Sequence, residues 1–220
     1  MRIILASGSP RRRELLQQVG LEFTVMSADI DESVLDNETP QAYIQRMVEQ
    51  KAQAALAVLN ADKTLVSGNE PSSCVLLLTA DTIGILPDGK TILIKPQDAE
   101  HALAMWQQMS ASTHQVCTAV QATLLNLQTT DTGVLFNEVG SQSILESTEV
   151  TFVTLSEQEM QRYWQTGEPA DKAGGYAIQG GAAHWVERIN GSYTNVVGLP
   201  LAQTLALIEQ ARTLADTTKK

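Results

Sequence analysis

The stretch Ile3-Ile4-Leu5-Ala6-Ser7-Gly8-Ser9-Pro10-Arg11-Arg12-Arg13 sets how the chain begins to fold. Its apolar run reads as a buried strand, Ser7-Gly8 as a tight connection, Ser9 as an N-cap and Pro10 as the first helical residue. The helix continues through Glu14-Leu15-Leu16 and stops at Gly20. A strand feeding directly into a helix N-terminus gathers free amides and the positive end of the helix dipole at one point, which favours an anion there. Arg11, Arg12 and Arg13 add three cations to that point and cost stability unless negative charge is supplied. Arginine's planar fork matches phosphate oxygens, whereas the plainer alternative is a solvated basic tip on a surface helix.

The rest of the chain is acidic, with a formal net charge of -10 over 220 residues and a pI near 4.7. That balance argues against a polymeric nucleic-acid partner, which needs an extended basic surface, so a basic cluster implies a small anion recognised locally. With 43% hydrophobic and 18% charged residues, the composition is that of a globular chain able to bury a core. No run approaches the ~18 apolar residues of a membrane span, and the first strand starts without a signal-peptide pattern, so no membrane partner and a cytoplasmic location are expected. Cys74 and Cys117 lie in apolar surroundings without CxxC spacing and read as two buried thiols.

Outward from the first strand and helix, a second strand is expected over Glu22 to Met26, then an acidic loop through Asp29, Asp31 and Glu32. Thr39 and Pro40 open a long helix from about Gln41 to Leu59. Asn60 to Ser73 reads as a polar insertion. A strand from Cys74 to Ala80 is expected to end in Asp81-Thr82, followed by a hairpin of Ile83 to Leu86 and Thr91 to Ile94 around Pro87-Asp88-Gly89. A helix follows over Asp98 to Met109. Strands over Val116 to Leu125 and Thr148 to Leu155 flank a long polar connection around Thr129 to Ser143. Ser156 and Glu159 form a capping box for a helix to about Thr166, and a last helix runs from Leu201 to Leu214, with a frayed tail over 217–220. Hairpins together with helical crossovers give an α/β domain with a mixed sheet and flanking helices across residues 1–220. A two-lobed form would use the turn-rich segments after Gly167 as walls of a cleft.

Lys51 falls inside the apolar stripe Ile44, Val48, Ala55, Leu59, so it must snorkel, pair with a carboxylate or meet a bound anion. Asp81 follows an apolar strand, where it could hold a divalent cation, accept a proton from water or only turn the chain. Glu32 could share a metal with Asp81, since Mg2+ takes one or two carboxylates and completes its shell with water and phosphate oxygens. Lys95-Pro96 and Asp171-Lys172 add further charge, and Gln179 before Gly180-Gly181 can both donate to and accept from a nucleobase edge. The scattered His101, His114 and His184 do not fit a triad hydrolase, and the pattern GxxxxGK[ST] is absent. Together these groups point to triphosphate chemistry: an arginine-lysine clamp, a carboxylate pair for metal and water, and an amide for the base.

Several motifs carry a family resemblance. Leu5-Ala6-Ser7-Gly8-Ser9-Pro10-Arg11-Arg12, Ala80-Asp81-Thr82 and Lys95-Pro96 are joined by Asp171-Lys172-Ala173-Gly174 through Tyr176, Ile178-Gln179-Gly180 and Asn190-Gly191-Ser192-Tyr193 to Pro200. With these the sequence resembles, over nearly its whole length, the Maf family of nucleoside triphosphate pyrophosphatases. The resemblance implies an inosine triphosphatase-like fold with a cleft. It also implies hydrolysis of a nucleoside triphosphate to the monophosphate and pyrophosphate with a divalent cation, Mg2+, Mn2+ or Co2+. It assigns Ser7, Arg11 and Arg12 to phosphate binding, Glu32, Lys51, Asp81 and Lys95 to catalysis, and Glu32 with Asp81 to the metal, Asp81 being the family's proposed proton acceptor. Arg11, Thr82 and Gln179 resemble the combination of the branch acting on dTTP and UTP; a sister branch acting on 7-methyl-GTP carries tryptophan, glutamine and glutamate there. Arg13, Gly175 and Ala177 depart from the commonest family pattern. A nucleotide-binding regulator of septum formation without turnover and a phosphatase releasing orthophosphate are the competing classes. The sequence leaves the oligomeric state open, a homodimer included.

Overall fold

The computed structural model describes residues 1–62, 74–130 and 133–217. The opening stretch folds as its pattern dictates: strand β1 (Arg2–Ala6) turns through Ser7 to Ser9 into helix α1 (Pro10–Gln18), and Gly20 takes a φ of 70° just beyond it. Ser9 occupies the N-cap with extended dihedrals, but its side chain makes no capping bond; its own amide donates instead to Ser7 Oγ at 3.3 Å. Strand β2 is shorter than expected, Thr24–Met26, and pairs parallel with β1. Helix α2 (Pro40–Ala61) is capped by Thr39, whose hydroxyl accepts from Ala42 N. It absorbs Asn60 and Ala61 from the expected insertion and ends with Asp62 as its C-cap; residues 63–73 lie outside the described residues. Asn60 exchanges two hydrogen bonds with the Phe136 backbone and pins the end of α2 to the sheet.

Strand β3 (Cys74–Ile85) corrects the expectation that Asp81-Thr82 ends a strand. It runs through both residues because β5 (Thr113–Thr130) pairs with it antiparallel along its whole length, Asp81 opposite Ala119 and Thr82 opposite Thr118. On its other edge, parallel pairing with β1 stops at Thr79, and the hairpin strand β4 (Ile92–Leu93) pairs only with Gly84 and Ile85. Among the described residues, Ala80 to Ile83 have no strand partner on that edge, so the sheet is notched at Asp81 and Thr82.

Helix α3 (Ala99–Met109) follows, with Asp98 as its side-chain cap. The long connection expected around Thr129 to Ser143 is also corrected: strand β6 spans Gly133–Phe152 and pairs with β5 down to Thr130. Ser141, Gln142 and Ser143 are exposed there, so ladder hydrogen bonds hold the strand where apolar alternation gives no signal. Helix α4 (Glu157–Gln165) carries the full Ser156–Glu159 capping box. Three short 3-10 turns, Glu168–Asp171, Ala173–Gly175 and Gly181–Trp185, lead to strand β7 (Val186–Asn190) on β6, then the short helix α5 (Tyr193–Val197). Helix α6 (Leu201–Thr217) runs past the expected Leu214 and takes in Thr217; 218–220 lie outside the described residues.

The described strands form one seven-stranded mixed sheet in the order β2-β1-β3-β5-β6-β7, with β4 on β3. Alternation along β3 sends Leu76, Leu78 and Ala80 to a core with α1 and α6, and Val75, Leu77 and Ile83 to cores built on α2. Asp81 continues the α2 side and Thr82 the α1 side. A further core gathers Trp106, Phe152, Tyr163 and Trp185 between α3, α4 and the end of the sheet. Cys74 and Cys117 are both buried and not joined to each other in a disulfide, as expected.

Candidate active site

The notch in the sheet opens into a cleft of about 800 Å³ that takes in Ser7, Arg11, Arg12, Glu32, Lys51, Asp81, Thr82, Lys95 and Gln179. Every sequence-predicted site residue therefore borders one cavity. A smaller polar hollow of about 240 Å³, bordered by Glu49, Gln53 and Gln142, contains none of them.

On the α2 side, Lys51 Nζ donates to Asp81 Oδ1 at 2.8 Å and lies 2.9 Å from Glu32 Oε1. Of the three outcomes open to a lysine in an apolar stripe, it takes the carboxylate pairing, twice over. Burial alone would push the Glu32 carboxyl up, but the Lys51 hydrogen bond and charge, with Lys95 and Arg12 beyond, hold it below the usual range. The loop bearing Glu32 is tied to α2 by Tyr43, whose hydroxyl donates to Glu32 O at 2.8 Å. Arg46 completes the tie by donating to Ser33 O and to both carboxylate oxygens of Glu38.

On the α1 side, the arginine run divides. Arg13 is exposed and Arg11 partly so, whereas Arg12 is buried. Its Nη1 donates to Ser7 Oγ at 3.0 Å, Nη2 to Thr82 Oγ1 at 3.0 Å and Nε to Gly198 O at 2.8 Å. Burial lowers the pKa of this guanidinium and the charge of Asp81 opposes the drop. The negative charge that the cationic helix start calls for is thus partly internal. Thr82 also meets Thr118 at 2.9 Å, so it is locked between Arg12 and β5.

The far wall comes from the segment after Gly167. Lys172 Nζ donates to Asp171 Oδ1 and to Glu168 O, each at 2.7 Å. The Asp171 carboxyl sits below its usual range, first through the Lys172 hydrogen bond, and Arg11 across the cleft adds to this. Lys95 is exposed on the rim beyond β4, and Gln179 is exposed on the turn after Tyr176.

Tyr43 and Arg46 were not singled out by sequence reasoning, and Gly198 fell within a quoted motif but was given no role. Tyr43 and Arg46 hold the acidic loop, yet look like an ordinary core aromatic and an ordinary surface charge on an amphipathic helix. Gly198 contributes a carbonyl, which no residue type announces.

The chain matches the family model described as Maf-like protein over residues 2–211. The chain belongs to the Maf family. It is 59% identical to the dTTP/UTP pyrophosphatase of Psychrobacter cryohalolentis, over 96% of this chain and 97% of that one. It is 57% identical to the dTTP/UTP pyrophosphatase of Psychrobacter arcticus, over 96% and 95%, and 41% identical to that of Acinetobacter baylyi, over 94% and 98%. The mixed α/β sheet with flanking helices fits this Maf membership. No helix of the described residues is long and apolar enough to cross a membrane.

Whether these residues fit a divalent cation follows from the donor set. Among the described residues, no three of His, Cys, Asp and Glu gather into a metal site. Glu32 and Asp81 do converge on one cationic atom, Lys51 Nζ. Two hard carboxylates beside a cation-lined cleft form an Mg2+-type site only when substrate oxygens and water complete it.

Proposed function

We propose that this Maf protein is a nucleoside triphosphate pyrophosphatase that hydrolyses dTTP and UTP to the monophosphate and pyrophosphate, clearing unwanted nucleotides from the pool. The observation that carries this reading is the convergence of Asp81 and Glu32 on Lys51 where β3 is open on its β1 edge, with Arg12, Ser7 and Thr82 fixed on the other side of that strand. A pure binding module needs the cations but has no use for two carboxylates beside them.

In this reading Ser7, Arg11 and Arg12 hold phosphate oxygens, the first two by direct contact and Arg12 also by fixing Ser7 and Thr82. Lys51 and Lys95 offset charge that builds on phosphate as the α–β bond breaks. Asp81 accepts the proton of the attacking water, and Lys51 fixes its Oδ1 in place. Glu32 and Asp81 would hold a divalent cation, Mg2+, Mn2+ or Co2+, which when bound screens phosphate charge. Arg11, Thr82 and Gln179 discriminate the base. The net charge of -10 supports an enzyme acting on free nucleotides in the cytoplasm rather than on polymeric nucleic acid.

The test incubates the protein with Mg2+ and dTTP or UTP and measures pyrophosphate and orthophosphate separately. Pyrophosphate is expected, and Asp81→Asn should lower kcat by about a hundredfold or more while nucleotide binding persists. Orthophosphate alone would make the protein a phosphatase. Binding without any turnover would make it a regulator, and wild-type rates in Asp81→Asn would remove Asp81 from proton transfer.

A further inference from the structure

Gln179 is exposed to the cleft on a tight turn in which Gly180 N donates to Ala177 O at 3.0 Å. The turn is held from behind by two side chains that the proposed reaction does not use. Tyr163, buried on α4, accepts a hydrogen bond on its hydroxyl oxygen from Ala177 N at 3.1 Å. Glu168, at the start of the first 3-10 turn, accepts from Gly181 N at 2.9 Å. The two anchored amides lie two residues before and two residues after Gln179, and Gln179 itself makes neither contact.

The packing behind the turn is close, so a side chain at either glycine would push against the anchors. A Cβ at Gly180 would fall 1.5 Å from Glu168 Oε1. A Cβ at Gly181 would fall 3.0 Å from the Tyr163 ring and 3.1 Å from Glu168 Oε2. The ring edge and the carboxylate therefore meet on the backbone that follows Gln179. Tyr176, on the other flank, brings its hydroxyl within 2.8 Å of Nε2 of the buried His114. Phenylalanine at 163 would fill the aromatic cluster of Trp106 and Trp185 as well as tyrosine does, so core packing does not account for the hydroxyl. Burial pushes this phenol up to about 12, with Glu168 adding to the rise against the Ala177 bond. It stays neutral, and its oxygen remains an acceptor for the amide. Glu168 also ties into the same wall of the cleft, because its carbonyl accepts from cleft-lining Lys172 at 2.7 Å.

We propose that Tyr163 and Glu168 are positioning residues that set the place of the Gln179 amide, and so the choice of nucleobase, through the backbone amides of Ala177 and Gly181. This rests on Gln179 as the base-reading group. Loss of either anchor lets the turn relax and blurs selection between bases, but leaves Asp81, Lys51 and the phosphate side of the cleft untouched.

Steady-state kinetics with UTP and CTP, whose pairing edges exchange donor for acceptor, test this in wild type, Tyr163→Phe, Glu168→Ala, Glu168→Gln and Gln179→Ala. Tyr163→Phe and Glu168→Ala are expected to raise KM for UTP and shrink the UTP-to-CTP ratio of kcat/KM by about three- to tenfold, the range for one lost hydrogen bond. The kcat for UTP should stay within about twofold of wild type, a split that general destabilisation of the site would not produce. Glu168→Gln keeps an oxygen for Gly181 N and should retain the ratio. Tyr163→Phe in a Gln179→Ala background should change the ratio no further, because both act through one amide. If Gln179→Ala lowers the ratio and the two anchor variants do not, the positioning role is wrong and base reading stands. If Gln179→Ala leaves the ratio unchanged, base reading itself fails and takes the proposal with it. An additive loss in the double variant also overturns it. Should Glu168→Ala not fold, as judged by its unfolding transition, Tyr163→Phe decides alone.

Discussion

Lys51 illustrates what one residue can disclose. A lysine in an apolar helical stripe announces an unsatisfied charge, and here it meets Asp81 and Glu32, residues far from it in sequence. Which carboxylates it would find was not legible, because pairing between a loop, a helix and a strand leaves no periodic trace. Arg12 was legible as a phosphate candidate but not as a buried clamp, since its partners Thr82 and Gly198 come from distant segments. His114 gives a prediction at the same scale. It is fully buried on β5, and burial pushes its imidazole down to about 4. The unfolded chain, with an ordinary histidine near 6.5, binds a proton that the folded chain refuses, so the protein loses stability as pH falls from about 6.5 towards 4. The His114 contribution to that slope reaches up to about 1.4 kcal/mol per pH unit. Urea unfolding at several pH values should give a shallower loss for His114→Gln, which can still bond Tyr176, than for wild type. Equal slopes would mean that His114 is not the titrating group.

At the scale of elements, boundaries marked by side-chain chemistry were readable. Thr39-Pro40, Asp98 and the Ser156–Glu159 capping box each start the helix they announce. Strands held by a partner rather than by their own apolar face were not. Asp81-Thr82 looks like a strand end, yet β5 carries β3 through it, and the polar first part of β6 is built in the same way. The turn between β7 and α5 was quoted as a motif, and the structure supplies its cause. Gly191 has a φ of 134°, and a Cβ there would lie 2.7 Å from Thr148 Oγ1, which accepts from Ser192 N at 3.0 Å and from Asn195 Nδ2 at 3.0 Å. Gly191→Ala combines left-side backbone strain with a clash against a buried hydroxyl, and should destabilise the protein by on the order of 2 kcal/mol or more. Chemical denaturation measures this, and a loss under about 0.5 kcal/mol, the size of an ordinary surface change, would contradict it.

For the whole molecule, the mixed α/β class followed from hairpins and crossovers occurring together, and the cleft follows from where their pairings stop. Parallel β1 ends one residue short of Ala80, and β4 begins only at Gly84, so the open stretch of β3 exposes Asp81 and Thr82 between α1, α2 and the turns after Gly167. In a chain of net charge -10, that is where Arg11, Arg12, Lys51, Lys95 and Lys172 come together. The central claim is that water guided by Asp81 attacks the α-phosphorus of a pyrimidine nucleoside triphosphate. Hydrolysis of UTP in 18O-enriched water, followed by mass spectrometry of the products, tests it most directly. The account predicts the label in the nucleoside monophosphate and unlabelled pyrophosphate; label in pyrophosphate or in orthophosphate would place the attack on another phosphorus and contradict it.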